Sequence, residues 1–204
     1  MTETGETKLL SRAREGDRQA LGDLLQQHQD RLMRLVSFRL DRRLQGRVDP
    51  ADVLQEAFVE VTRRRKELPH ETDMALFVWL RFLVLQKLLE VHRRHLGVQA
   101  RNATRDVSLY DGGAPHVTSA VLAAQLLGKL TSPSQAAIRA EMKYRLEQTL
   151  NAMSSLDREI IVLRHFEQLA NAEAAHVLGI SESAASTRYV RAIRRLRQSL
   201  EGDA

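Results

Sequence analysis

The sequence predicts an all-α protein made of two small helical domains joined by a linker. Three observations carry this reading. Apolar residues make up 43% of the 204 positions, and over long stretches they recur at the spacing that gives a helix one buried face. Leu, Ala, Arg, Glu and Gln dominate, residues that lose little rotamer freedom in a helix. No run of alternating β-branched residues appears, and only four prolines and ten glycines interrupt the chain.

The helical periodicity is dense over 7–97 and again over 135–200, which are taken as the two domains. Residues 98–134 collect Asn102, Asp106, Asp111, Gly112, Gly113, Pro115, Ser132 and Pro133, the chemistry of a linker. In the first domain, Ala20 to Leu40 sets Leu21, Leu24, Leu25, Leu32, Leu35, Val36 and Leu40 on one broad stripe. Asp49 followed by Pro50 is an N-cap with proline at the first helical position. The helix it opens runs to about Lys66, burying Val53, Leu54, Ala57, Phe58 and Val61. Its basic end, Arg63 to Lys66, suits the negative pole of the helix dipole. A polar turn at Pro69 to Asp73 leads to a third helix, Met74 to His95, with Phe77, Leu80, Val84, Leu88 and Val91 inward. Within the linker, Val117, Val121, Leu122, Leu126, Leu127 and Leu130 line one side of a short helix. That stripe either packs on its own protein or serves as a partner-binding or autoinhibitory helix.

In the second domain, Pro133 to Met153 forms one helix, opened by Ser132-Pro133. Ser155 or Asp157 caps the next, which runs through Glu167. A third covers Asn171 to Leu178, with Ala174, Ala175 and Leu178 inward. Gly179-Ile180-Ser181 then supplies a positive φ, an apolar plug and a cap, and a final helix extends from Glu182 to about Leu200. Two helices joined by such a turn form a helix-turn-helix. The last helix buries Ala185, Tyr189, Ala192, Ile193, Leu196 and Leu200 and carries Arg188, Arg191, Arg194, Arg195 and Arg197. Those arginines suit phosphates and guanine edges, so the segment reads as DNA-binding rather than as a solvated basic face.

Composition narrows the function further. Lys and Arg total 31 against 26 acids, a net charge of +5, which favours nucleic acid only weakly; the placement of the arginines matters more. Cysteine is absent, which removes disulfides, thiol catalysis and cysteine-ligated zinc. Met1 to Gly16 has no apolar stretch of a signal peptide. The longest apolar run, Phe77 to Leu89, is broken by Arg81, Gln86 and Lys87 and does not suit a membrane span. A cytoplasmic location without membrane insertion is expected. His92 and His95, with Glu90 nearby, lack a third ligand at metal spacing. No phosphate-binding glycine loop or nucleophile–base pair is visible, so neither enzymatic activity nor a catalytic residue, cofactor or metal is expected.

The stretch LDREIIVLRHFEQLANAEAAHVLGISESAASTRYVRAIRRLRQSL resembles region 4 of bacterial sigma factors of the sigma-70 family, particularly the extracytoplasmic-function group. The likeness rests on Glu173, Ala175, Leu178-Gly179-Ile180-Ser181, Arg188 and Arg191-Ala192. DPADVLQEAFVEVTRRR resembles region 2.2 of the same family, and ALFVWLRFLVLQKLLEVHRRH resembles regions 2.3 and 2.4, in the family's order. The resemblance implies a region 2 bundle of three to four helices, a region 4 helix-turn-helix, and a transcription initiation factor that binds core RNA polymerase and promoter DNA. By the same resemblance, Asp52, Gln55, Glu56 and Phe58 face polymerase. His70, Asp73, Phe77, Trp79, Arg81, Gln86, Lys87, Arg93 and Arg94 contact the melted −10 element, and Ser181, Glu182, Ser186, Thr187, Arg188, Arg191, Arg194 and Arg195 contact the −35 duplex. Capturing unpaired bases needs stacking surfaces and cations; Trp79 is read both as a base platform and as a core tryptophan, which are compatible. Many members of the family are held by an anti-sigma factor, a partner to which no residue here testifies. The sequence departs from the family pattern at Phe82 and Gln86 and at the small residues Ala184, Ala185 and Ser186. The alternative is a stand-alone helix-turn-helix regulator with an N-terminal sensor or dimerisation bundle.

Overall fold

A computed structural model of the protein describes residues 3–69, 76–96, 117–128 and 136–201. The described residues form helices and no strand, and they fall into two units, Met1–Pro115 and His116–Ala204. The all-α expectation holds.

The N-terminal unit contains α1 (Glu3–Glu15), α2 (Arg18–Arg39), α3 (Pro50–Arg63) and α4 (Leu76–Leu96). The sequence shows helical periodicity from residue 7 but delimits no helix corresponding to α1. Helix α1 docks on α2 through buried Leu10 and Ala13, and Asp17 starts α2 by accepting from the N–H groups of Gln19 and Ala20 at 3.0 and 3.1 Å. The expected α2 stripe is buried throughout. Asp49 caps α3 as predicted, its carboxylate accepting from the Ala51 N–H at 2.8 Å with Pro50 in the first turn. The helix ends at Arg63, earlier than expected, and a tight turn at Arg65–Glu67 follows.

Helix α4 is the centre of this unit. It packs on both α2 and α3 and is buried on most of its circumference from Leu76 to His92, as a helix apolar nearly all round must be. The predicted start at Met74 lies outside the described residues.

The C-terminal unit contains α5 (Ser119–Leu127), α6 (Ala136–Asn151), α7 (Ser155–Ile161), α8 (Asn171–Leu178) and α9 (Glu182–Glu201). The stripe in the linker packs on its own protein: α5 lies against α6, with Leu122, Ala123 and Leu127 buried, as are Leu146 and Leu150 of α6. Leu130, Ser132 and Pro133 lie outside the described residues. Ser154, rather than Ser155 or Asp157, caps α7, its hydroxyl accepting from the Asp157 N–H at 3.1 Å. The coil then widens into a π-helical turn at Val162–Phe166. Arg158 closes the preceding helix by donating to the carbonyls of Leu150 and Met153 at 3.0 and 2.9 Å, the favoured place for a cation. Helix α9 packs on α6, α7 and α8.

Candidate nucleic-acid interface

The helix-turn-helix is built as its turn chemistry predicts. Gly179 sits at φ 63°, ψ 33°, a left-handed conformation that glycine adopts without steric cost. The Gly179 and Ile180 N–H groups donate back to His176 and Ala175 carbonyls at 3.1 and 3.0 Å, which is the Schellman closure. Ser181 caps α9, accepting from the Ala184 N–H at 3.2 Å. A cross-tie fixes the angle between the helices, because the Asn171 amide donates to the Glu182 carbonyl at 2.8 Å. At the other end of α8, the Glu173 carboxylate accepts from the Ala170 N–H at 2.6 Å.

Helix α9 buries Ala185, Ala192 and Leu196, while Tyr189 and Ile193 are half-buried. Leu200, expected inward, is exposed. Opposite the buried stripe lie Ser183, Thr187, Val190 and Arg194, flanked by Ser186 and Arg191, all exposed. Ser183 and Val190 were missed from sequence, although their direction follows from placing Ala185 and Ala192 inward. Val190 is 52% exposed and offers the apolar contact that suits a thymine methyl.

The arginines of α9 divide into two kinds. Arg194 and Arg195 are exposed and make no ion pair among the described residues. Arg188 and Arg191 both donate to one oxygen of Asp157 on α7, at 2.8 and 3.3 Å. Asp157 is only 8% exposed in its side chain, against 31% for Arg188 and 50% for Arg191. Burial pushes the Asp157 carboxyl up, but hydrogen bonding with Arg188, Ser154 and Arg191 outweighs it and holds the group below the usual carboxylate value. Arg188, expected as a base reader, is thus first a clasp between α7 and α9. Nearby, Arg164 lies 5.5 Å from the Tyr189 ring and donates to the Leu169 carbonyl.

On α4 the structure separates residues that the sequence grouped. Phe77, Trp79 and Arg81 are buried. The Phe77 ring is already covered, with the Arg31 guanidinium 3.6 Å from its centroid and His28 beside it; such a cation occupies the face that a base would need. Trp79, 7% exposed, has the core role. Neither ring is an open platform in this structure, which agrees with the core reading of Trp79. Lys87 is tied between Glu90 at 2.7 Å and Glu56 of α3 at 3.9 Å. The outward stripe consists of Phe82, Gln86, Glu90 and Arg93, with Arg94 beside it. Phe82, half-buried, is the least buried of the Phe and Trp rings on this helix, and sequence reasoning noted it only as a departure. His70 and Asp73 lie outside the described residues.

Between α2 and α3 lies a groove of about 340 Å³ lined by Gln29, Met33, Leu54, Gln55, Phe58 and Val59, among others. Of the residues expected to face polymerase, Gln55 and Phe58 line this groove. Asp52 is exposed, and Glu56 is exposed within reach of Lys87. Val59, also exposed, lines the same groove. Among the described residues no helix is long and apolar enough to cross a membrane.

The family described as Sigma-70, region 4 matches residues 143–196, the span from α6 to most of α9. Among the relatives that match nearly end to end are two sigma factors. One is the RNA polymerase sigma factor NccH of Alcaligenes xylosoxydans xylosoxydans, 27% identical over 95% of this chain and 93% of its own. The other is the RNA polymerase sigma factor CnrH of Cupriavidus metallidurans, 28% identical over 98% and 97%. The fold is similar to that of CnrH solved in complex with the cytosolic domain of CnrY, with a TM-score of 0.54, 22% identity, and coverage of 98% of this chain and 99% of that one.

Proposed function

We infer that this chain, a member of the sigma-70 family and of its extracytoplasmic-function group, is a transcription initiation factor that binds core RNA polymerase and directs it to specific promoters. The observation that carries this is the near end-to-end similarity to sigma factors, joined to the region 4 match over the helix-turn-helix. A stand-alone regulator would share the C-terminal unit and have no reason to share the N-terminal one. The chain's work is binding, with no covalent step of its own, and it takes place in the cytoplasm, where promoters and core polymerase meet.

Residue roles follow from the surfaces. We assign the outer face of α9, with Ser183, Ser186, Thr187, Val190 and Arg194, to the −35 duplex. Arg195 and the exposed edge of Arg191 then lie toward phosphates. On α4 we assign Phe82, Gln86, Arg93 and Arg94 to the −10 element, and the α2–α3 groove, with Gln55, Phe58 and Val59, to core polymerase. Because the relative CnrH was captured with the cytosolic domain of CnrY, a protein partner of the anti-sigma kind belongs to the same reading.

The test is reconstitution. The purified chain is added to core polymerase, bound DNA is sequenced, and transcription from the recovered sites is measured. Specific initiation that depends on the chain is the expected outcome; a chain that never associates with core polymerase overturns the reading.

A further inference from the structure

The turn that joins α2 to α3 carries Arg42, Arg43 and Arg47, and it is held firmly. Asp41 caps a 3-10 turn at Arg42–Leu44, accepting from the Arg43 N–H at 2.8 Å. Leu44 is buried as an anchor, and its carbonyl accepts from the N–H groups of both Arg47 and Val48 at 2.9 and 3.0 Å. Gly46 reverses the chain at φ 88°, where an added Cβ would meet nothing within 4 Å, so this tip points into open space.

A second tie joins the turn to α4. The Asp41 N–H donates to Nε2 of buried His92 at 3.2 Å, and His92 is followed directly by exposed Arg93 and Arg94. Two basic segments from distant parts of the chain are therefore fixed beside one another. Arg43 pairs with Asp41 at 2.8 Å. Arg42, Arg47, Arg93 and Arg94 make no ion pair among the described residues. Like charges gathered on a stiff support repel one another, and the four that make no internal ion pair are left to attract an external anion. Their spread along a surface, with no enclosing pocket, suits the repeated phosphates of a nucleic-acid strand rather than a single small anion.

We propose that the turn at 41–47 is a phosphate-binding surface for the DNA backbone, continuous with the Arg93–Arg94 end of α4. This rests on the DNA-binding reading above and extends it to residues that the family resemblance did not supply. Such contacts fix the register of the duplex and read no sequence, so the turn anchors DNA while the outer stripe of α4 discriminates.

The test uses the full chain and a fluorescently labelled DNA duplex of random sequence, titrated over a series of salt concentrations. Each lost phosphate contact lowers the slope of log affinity against log salt by about 0.9. The exposed pair Arg42→Gln and Arg47→Gln is expected to lower it by about 1.8, while Arg42→Lys with Arg47→Lys keeps it. An unchanged slope in the glutamine pair overturns the proposal, as does an equal loss in the lysine pair. Co-purification with core polymerase is the separate readout of the initiation-factor reading: the glutamine pair is expected to associate like the unaltered chain, and failure of the unaltered chain to associate overturns that reading while the slope still decides this one.

Discussion

Replacing Arg188 by alanine tests whether the α7–α9 clasp holds the helix-turn-helix together. The change removes the shorter bond to Asp157, 2.8 Å, and leaves that from Arg191 at 3.3 Å. A buried acceptor that loses its partner costs about 1–3 kcal/mol, whereas an exposed ion pair is worth at most about 1 kcal/mol. Arg188 is partly exposed and Arg191 remains, so the loss should be about 1–2 kcal/mol. The carboxyl titrates below its usual value in the folded protein. Its stabilisation is therefore full above the unfolded value of 3.8 and is lost as pH falls through the folded value. The penalty for Arg188→Ala is thus complete at neutral pH and shrinks in acid. Urea unfolding followed by far-UV circular dichroism reads both units, while fluorescence of the single tryptophan, Trp79, reads the N-terminal unit alone. A shifted dichroism transition with unmoved fluorescence is expected. A loss below about 0.5 kcal/mol would refute the argument, since coupled neighbours normally show at least that much. So would a loss of the same size when Asp157→Asn is already present.

The same dichroism transition should fall by about 1–2 kcal/mol for Gly179→Ala, because a Cβ is strained in the left-handed region; an unmoved midpoint would contradict the turn geometry. Val59→Asp puts a charge on the rim of the α2–α3 groove and should weaken association with core polymerase by about 2 kcal/mol, roughly thirtyfold, without moving the Trp79 transition. Unchanged affinity in a pull-down titration would remove the groove from the polymerase interface. His92 supplies a pH dependence. Burial holds its imidazole below the usual value, helped by the charge of Arg43 and opposed by Asp41, and protonation would abolish acceptance from the Asp41 N–H. Stability of the N-terminal unit is then full above the unfolded value of 6.5 and declines as pH falls toward the folded one. His92→Asn should flatten that decline in Trp79-monitored unfolding, and an equally steep profile in the variant would exclude His92 as its source.

What was legible in the sequence was whatever local chemistry decides. Asp49-Pro50 and Gly179-Ile180-Ser181 determine helix ends through bonds made within a few residues, and those ends lie where they were expected. Helix α1 fell only partly within the residues read as helical and was not delimited, because in its polar sequence Leu10 and Ala13 are the buried apolar contacts. The Asp157–Arg188 clasp spans 31 positions, and no local pattern announces it. Helix α4 was legible as a helix, and Phe77, Leu80, Val84, Leu88 and Val91 are buried as expected, but the rest of its facing was not. With apolar residues nearly all round, packing against α2 and α3 decides that Trp79 is buried as well and that Phe82 stays half-buried.

This bears on how the positive charge should be counted. Arginine serves here in at least three physical states. Arg31 covers the Phe77 ring, and Arg39 and Arg81 are buried. Arg188 and Arg191 spend their charge on Asp157. Arg42, Arg47, Arg93, Arg94, Arg194 and Arg195 stand exposed without an acid. The last group can release counterions from DNA without first breaking an ion pair within the protein, so its members should contribute directly to the salt dependence of binding. Removing a member of the first two groups lowers DNA affinity through loss of structure instead. The two routes differ in signature: the first changes the salt slope at constant stability, and the second changes stability at constant slope. A net charge of +5 does not distinguish them. The distribution of the acids does, since Asp157 engages Arg188 closely and Arg191 at longer range, leaving only an exposed edge of Arg191, and Asp41 withdraws Arg43 while its backbone fixes the turn beside Arg93 and Arg94.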